Sequence, residues 1–447
     1  MKSLDEQGVR NFVQVLTARV SQRPDKVALR FLTDVDEAPR SLTYEQLHRD
    51  AIRVARALLA VAAPGDRALL LYPSGPEYVS AFLGCLYAGV VAVPAYPPES
   101  MQPHHLQRLL SILGDASPSV ILTERAIEPA LRALSANLPE ASACQILASD
   151  GAGSEPSEPW TPPDLDPAAP AFLQYTSGST ASPKGVCVSH ANILANETVI
   201  QSAFAMTEDD VVVSWLPLFH DMGLIGCLLQ PLFAGASLVL MSPPHFVKRP
   251  LRWLEAIAKY RGTVSGGPNF GYRLVAEQLN KLPEEGRKAL VLDLSQWRVA
   301  FCGAEPVRAE TLSSFAEATA GFGFDSAALF PCYGLAEATL FVSGRKVGAG
   351  VATRRISRAA LRRGEVVDAE DGVSLVALGA PHASHRVRIV DPATNSTLGA
   401  GRVGEVQLTG PSVMAGYYRN EAATRAALAT DGSESWLRTG DLWFSAR

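Results

Sequence analysis

Apolar residues recur at helical spacing over residues 47–59, where Leu47, Ala51, Val54 and Leu58 fall on one face. Short apolar runs follow at residues 68–72, after the turn Pro64-Gly65-Asp66, and again at 119–123, 171–175, 211–215, 237–241 and 298–301. Runs this short, separated by helix-like segments, predict strands buried on both faces and joined by crossover helices, an α/β architecture. The texture changes at residue 373. Residues 387–390 and 404–409 alternate like half-exposed strands, and predict a small, mostly β unit packed on the α/β body. Residues 78–96 carry no charge, but Gly84, Gly89 and Pro94 interrupt them, and Pro76-Glu77 marks a helix start. A core helix and a short buried strand at 90–93 account for this stretch better than a membrane span, so no transmembrane segment is expected.

Composition narrows the class. The chain has 447 residues, 47% of them hydrophobic and 19% charged, which is globular. A net charge of −5 gives no reason to expect a nucleic-acid partner. Cys85, Cys144, Cys187, Cys227, Cys302 and Cys332 form neither a CxxC pair nor a zinc-finger spacing with His, so a reduced, cytoplasmic protein is expected. The segment MKSLDEQGVR has no apolar core, and no secretory signal is read there. Residues 151–170 hold six prolines and read as a surface connection.

Five segments carry candidate chemistry. Tyr175-Thr-Ser-Gly-Ser-Thr-Ala-Ser-Pro-Lys-Gly185 follows a strand candidate. Its glycines let backbone N–H groups approach an anion, Ser177, Ser179 and Thr180 add hydroxyls, and Lys184 adds charge. That inventory suits a polyphosphate, although Lys184 is followed by Gly185 and no Walker A loop is present. Trp215-Leu-Pro-Leu-Phe-His-Asp-Met-Gly-Leu224 offers His220 beside Asp221, either a structural pair or half of a metal site lacking partners. Cys302-Gly-Ala-Glu-Pro306 follows a strand candidate, where open α/β sheets place ligands, and reads equally as an ordinary turn. Tyr333-Gly-Leu-Ala-Glu-Ala-Thr339 contains Glu337, either a hard oxygen donor or a surface residue. Leu437-Arg-Thr-Gly-Asp-Leu442 is the fifth segment and contains Asp441.

Taken in order, these segments resemble the adenylate-forming superfamily, which includes acyl-CoA synthetases, luciferases and peptide-synthetase adenylation domains. The first resembles its phosphate loop TSGSTGxPKG, departing at Ala181. The resemblance extends back through Ser41-Leu-Thr-Tyr44 and Ala92-Val-Pro-Ala-Tyr-Pro-Pro98 and covers nearly the whole chain. It implies an N-terminal adenylation domain: two parallel-type sheets with flanking helices and a small β-barrel-like subdomain. The expected divisions are 1–230, 231–372 and 373–440. The resemblance further implies ATP and Mg²⁺ as cofactors, with Thr176, Ser177, Gly178, Ser179, Thr180 and Lys184 on the phosphates. Gly303, Ala304, Glu305, Pro306, Tyr333, Gly334, Leu335 and Ala336 would line the adenine and α-phosphate, with Asp441 on the ribose. Glu337 would hold the metal and His220 would lie beside the substrate carboxylate, making His220, Lys184 and Glu337 the catalytic candidates. Phe219, Met222, Ile225, Asn269 and Phe270 are near motifs that line an acyl site, and read equally as core.

Within the superfamily, Val91-Ala-Val-Pro-Ala-Tyr-Pro-Pro98, Gly267-Pro-Asn-Phe270 and a long stretch from Glu337 to Gly379 resemble fatty acyl-AMP ligases. Residues 343–371 resemble their insertion, which disfavours CoA in favour of an acyl carrier protein as acceptor. The expected substrate is a fatty acid. The five arginines 354, 355, 358, 362 and 363 read first as a solvated face, and second as a docking face for that carrier. The family continues beyond the position matching Arg447 into a C-terminal domain, so the chain corresponds by resemblance to the large N-terminal domain alone. Three rivals remain: a CoA-forming synthetase, a nucleotide- or acyl-binding module with little activity, and a serine hydrolase using Ser177 and His220, which lacks a GxSxG elbow.

Overall fold

The computed structural model describes residues 8–33, 38–97, 103–135, 144–151, 160–176, 183–382 and 384–445. It divides into two compact units. The first comprises Met1–Thr198, Thr207–Lys248 and Met414–Asn420; the second comprises Val199–Met206, Arg249–Val413 and Glu421–Arg447. This division by contact cuts differently from the expected 230/231 and 372/373 boundaries. Ser237–Met241 stays with the first unit because it pairs in parallel with both Val211–Ser214 and Val27–Leu32.

In the first unit, six strands among the described residues form a sheet. Their order is Gln145–Ala148, Val120–Thr123, Arg67–Leu71, Val91–Ala95, Pro170–Thr176, Lys184–Ser189. All neighbours are parallel except the last pair, which is an antiparallel hairpin. Val120–Thr123 and Val91–Ala95 are buried along their whole length, which is why they appear in the sequence as unbroken apolar runs. Helix Tyr44–Leu59 starts at a capping box in which the Thr43 hydroxyl accepts from Gln46 N–H and the Gln46 side chain accepts from Thr43 N–H. It buries Leu47, Ala51, Val54 and Leu58. Helix Pro76–Ala88 begins at proline and ends at Gly89 in the left-handed region. The two helices approach so closely that a Cβ on Gly84 would lie 2.5 Å from Val54. Among the described residues no helix is long and apolar enough to cross a membrane.

In the second unit, Val264–Gly267, Val299–Cys302 and Leu329–Gly334 pair in parallel, and Phe341–Gly344 and Ala380–Pro381 extend them antiparallel. Thr353–Ile356 pairs with Val373–Val376 as a separate ribbon, so the small β unit does not begin at 373. That unit is an antiparallel sheet in the order Arg386–Val390, Gly404–Thr409, Glu434–Trp443, Leu428–Asp431. Its first and last strands do not pair among the described residues.

Candidate functional site

The sequence-predicted residues divide between the two units. In the first, Thr176 and Lys184 face each other across the base of the hairpin formed by Pro170–Thr176 and Lys184–Ser189. Ser177, Gly178, Ser179 and Thr180, which lie in the connection, fall outside the described residues. The hairpin base is held from several sides. The Tyr175 hydroxyl donates to Asp115 Oδ2 at 2.5 Å, and its ring covers Gly185, where a Cβ would lie 2.9 Å from it. Burial and the Asp115 carboxylate both push the Tyr175 pKa up. Residues 414–420 lie against the other strand of the hairpin, with a bridge between Val186 and Tyr417. Cys187 N–H donates to Gly416 C=O at 3.1 Å and Tyr418 N–H to Gly185 C=O at 2.7 Å. Lys184 Nζ lies 5.3 Å from the centroid of the Tyr417 ring.

The segment before His220 is also tied down through its carbonyls. Buried Tyr78 donates its hydroxyl to Leu218 C=O at 2.7 Å, and Gln174 donates its amide to Phe219 C=O at 2.9 Å. Phe219 packs on Tyr96 with ring centroids 5.1 Å apart. His220 Nδ1 lies 2.5 Å from Asp221 Oδ1, and 53% of the imidazole side-chain surface is exposed. The same carboxylate oxygen accepts from Met222 N–H at 2.7 Å. Asp221 therefore caps the following helix while fixing the imidazole with Nδ1 toward itself and leaving Nε2 for another partner. Burial lowers the His220 pKa, but the hydrogen bond and charge of Asp221 raise it, and the net shift is upward from 6.5.

The helix that Asp221 caps, Met222–Leu229, is a π-helix, a wide turn uncommon outside functional regions. Gly223 lies against the backbone of the preceding turn: a Cβ there would be 2.2 Å from Pro217 O. Met222 and Ile225 are buried in it, Ile225 completely.

In the second unit, Gly303, Ala304, Glu305 and Pro306 follow Val299–Cys302 directly. Ala304 takes φ +64°, a strained backbone for a residue with a Cβ. Glu305 Oε1 accepts from Phe270 N–H at 2.6 Å, joining the turn to helix Asn269–Lys281. The Asn269 amide is committed to this scaffold: its oxygen accepts from Arg308 N–H at 3.0 Å and its nitrogen donates to Thr311 Oγ1 at 3.3 Å. Gly334 is a forced glycine, since a Cβ would lie 1.9 Å from Leu340 O. Leu335 precedes the single turn Ala336–Ala338, which carries the half-buried Glu337.

Tyr333 and Asp441 meet. The phenol donates to Asp441 Oδ2 at 2.5 Å, joining two segments 108 positions apart. Burial and the Asp441 carboxylate push the Tyr333 pKa up. The Asp441 backbone is set by its own N–H donating to Thr439 Oγ1, whose hydroxyl donates to Val406 C=O. Trp443 packs on Tyr333 with ring centroids 4.5 Å apart. The sequence reading missed Trp443; its only signal was an aromatic residue two positions after the Asp. It also missed Tyr417, which has no local signal. Among the described residues no group of three or more His, Cys, Asp or Glu is gathered as a metal cluster.

Comparison with known proteins places these residues in context. The family profile of AMP-binding enzymes matches residues 16–418. The chain is 39% identical to the medium-chain-fatty-acid–[acyl-carrier-protein] ligase JamA of Moorena producens, over 97% of this chain and 74% of the relative. It is 36% identical to the long-chain-fatty-acid–AMP ligase FadD32 of Mycolicibacterium smegmatis, over 94% of this chain and 70% of the relative. A crystal structure of a fatty acyl-adenylate ligase from L. pneumophila, in complex with acyl adenylate and pyrophosphate, superposes with TM-score 0.89. It is 39% identical, with 98% of this chain and 75% of that one covered.

Proposed function

From the premise that the chain belongs to the family of AMP-binding enzymes, we propose the part each side chain plays in a fatty acyl-AMP ligase. The activity is the ATP-dependent activation of a fatty acid. A carboxylate oxygen bonds to the α-phosphorus, the bond from that phosphorus to pyrophosphate breaks, and acyl-AMP remains. Such a reaction needs little covalent work from the protein; it needs the reactants held in line and the developing charge met by fixed donors.

The observation that carries the nucleotide assignment is the Tyr333–Asp441 hydrogen bond. It joins an aromatic face suited to adenine with a carboxylate suited to a ribose diol. Gly303, Ala304, Glu305 and Pro306 take the adenine edge, and Gly334, Leu335 and Ala336 bring backbone close to the α-phosphate. Lys184, Thr176 and residues 177–180 take the phosphates. His220, its Nδ1 occupied by Asp221, directs Nε2 to the fatty-acid carboxylate. Phe219 and Phe270 are the acyl-contact residues we favour, because the Asn269 amide is already used and Ile225 is fully buried.

Glu337 fits Mg²⁺. Its half-buried carboxylate is a single hard donor, and Mg²⁺ commonly binds through one or two carboxylates with phosphates and water completing the shell. Bound there, the ion would neutralise phosphate charge. The acyl acceptor we favour is the phosphopantetheine thiol of an acyl carrier protein, forming a thioester and releasing AMP. The cytoplasm, with its ATP and reducing conditions, suits six cysteines that are all free.

Pyrophosphate release with ATP and a fatty acid, with the acyl-adenylate identified by mass spectrometry, tests the reaction. Replacing Asp441 by Asn should lower kcat/KM for ATP by about 10- to 100-fold, the loss of charge-assisted hydrogen bonds of about 1.5–3 kcal/mol. An unchanged value would remove Asp441 from the ribose. Offering holo carrier protein and CoA in parallel should give the thioester on the carrier; equal transfer to CoA would make the enzyme a CoA-forming synthetase.

A further inference from the structure

Lys184 stands at the end of a phosphate-loop hairpin, on a flexible four-carbon stem that carries roughly 2 kcal/mol of rotamer entropy. Something must limit where its ammonium goes if it is to meet a nucleotide without losing that entropy on binding. The restraint comes from Tyr417, 233 positions further along the sequence. Residues 414–420 leave the second unit, pair with the outer strand of the hairpin, and return. Two main-chain hydrogen bonds flank the Val186–Tyr417 bridge, so backbone geometry places Tyr417. Lys184 is two positions before Val186 on the neighbouring strand, the diagonal at which long side chains on one face reach each other. Its Nζ lies 5.3 Å from the Tyr417 ring centroid, within cation–π range.

We propose that Tyr417 is a positioning residue for nucleotide binding: its ring holds the Lys184 ammonium beside the hairpin base before ATP arrives. The inference rests on the assignment of Lys184 to the phosphates. The ring does the holding. The phenol hydroxyl is not needed, and the effect acts through Lys184 alone. A cation–π contact at a partly exposed site is worth about 0.5–1 kcal/mol, so its loss should weaken ATP roughly 2- to 5-fold. Neighbouring Tyr418 has a different task. Its ring lies within 6 Å of the guanidinium groups of Arg67 and Arg419, and its backbone closes on Gly185.

The test is ATP affinity by calorimetry in a double-mutant cycle, with thermal unfolding as the control for folding. Tyr417→Leu should weaken ATP 2- to 5-fold, and Tyr417→Phe should stay within twofold of the unmodified protein. In a Lys184→Met background Tyr417→Leu should have no further effect. If the leucine protein does not fold, Tyr417→Met takes its place in the cycle. Equal losses from Tyr417→Leu in both backgrounds would mean a structural role and overturn the proposal. So would a loss in Tyr417→Phe as large as in Tyr417→Leu. Should Lys184→Met bind ATP as tightly as the unmodified protein, the phosphate assignment itself falls and the inference with it. Should Lys184→Met weaken ATP while Tyr417→Leu does not, only the inference falls.

Discussion

At the scale of single residues, the His220–Asp221 pair shows what a two-residue motif can and cannot convey. The sequence offered a structural pair or half of a metal site. The geometry makes Asp221 serve two neighbours, the imidazole and the first N–H of the next helix. Because the His220 pKa is raised, its charged form predominates at 6.5 and is lost as pH rises through the higher folded value. A charged imidazole holds a carboxylate better than a neutral one, so KM for the fatty acid should climb with pH across that upper window. Asp221→Asn keeps an oxygen able to cap Met222 but removes the negative charge. Its KM profile should therefore move to lower pH, read from initial rates between about pH 5.5 and 9 around the ordinary His range. A midpoint that does not move would mean that the titration belongs to another group.

At the scale of elements, the strands were legible where burial on both faces made them unbroken apolar runs: 68–72, 119–123 and 237–241 all lie within one residue of strands. The π-helix was not legible. Its sequence, MGLIGCLL, is apolar throughout, so periodicity is silent; the Gly223–Pro217 approach that accompanies its wide turn is a tertiary fact. The helix ends at Gln230, whose amide nitrogen, correctly oriented, donates to Glu197 C=O at 3.0 Å and to the Glu197 carboxyl. Glu197 is completely buried on helix His190–Ala203, and burial pushes its pKa well above 4.5. That direction favours the neutral acid in the folded protein. The sign follows from proton counting. The folded state keeps the proton that the unfolded state loses near 4.5, so stability is greatest below that value and falls as pH rises toward the folded one. The slope is about 1.4 kcal/mol per pH unit. Glu197→Gln, which cannot titrate, should lack that slope. Urea unfolding of both proteins at several pH values between about 4.5 and 8 checks it. Parallel stability curves would mean that Glu197 is ionised in the fold.

At the scale of the whole molecule, the order of motifs was legible and the path of the chain between the units was not. The family profile reads residues 16–418 in sequence, yet Met414–Asn420 belongs to the first unit while its flanks belong to the second. Nothing local in Ala415-Gly-Tyr-Tyr418 announces a bridge to Val186. In the same way, alternation identifies half-exposed strands but not which strands a sheet will pair. The same scale decides the reading of the arginines at 354–363. Two of their charges are met by carboxylates, Arg354 pairing with Asp368 and Arg363 with Glu365, while Arg355 donates to Glu370 C=O. Glu365 also faces Arg402. Exposed pairs of this kind contribute little to stability, but with Glu365, Asp368, Glu370 and Asp371 following the arginines in the sequence they leave little net field to steer an acidic partner. Reversing the charges of Arg355, Arg358 and Arg362 to Glu should therefore leave the rate of acyl transfer to a carrier protein within about twofold at low salt, where steering is strongest. A large fall in kcat/KM for the carrier that is relieved in no other substrate would instead make this ribbon its docking face.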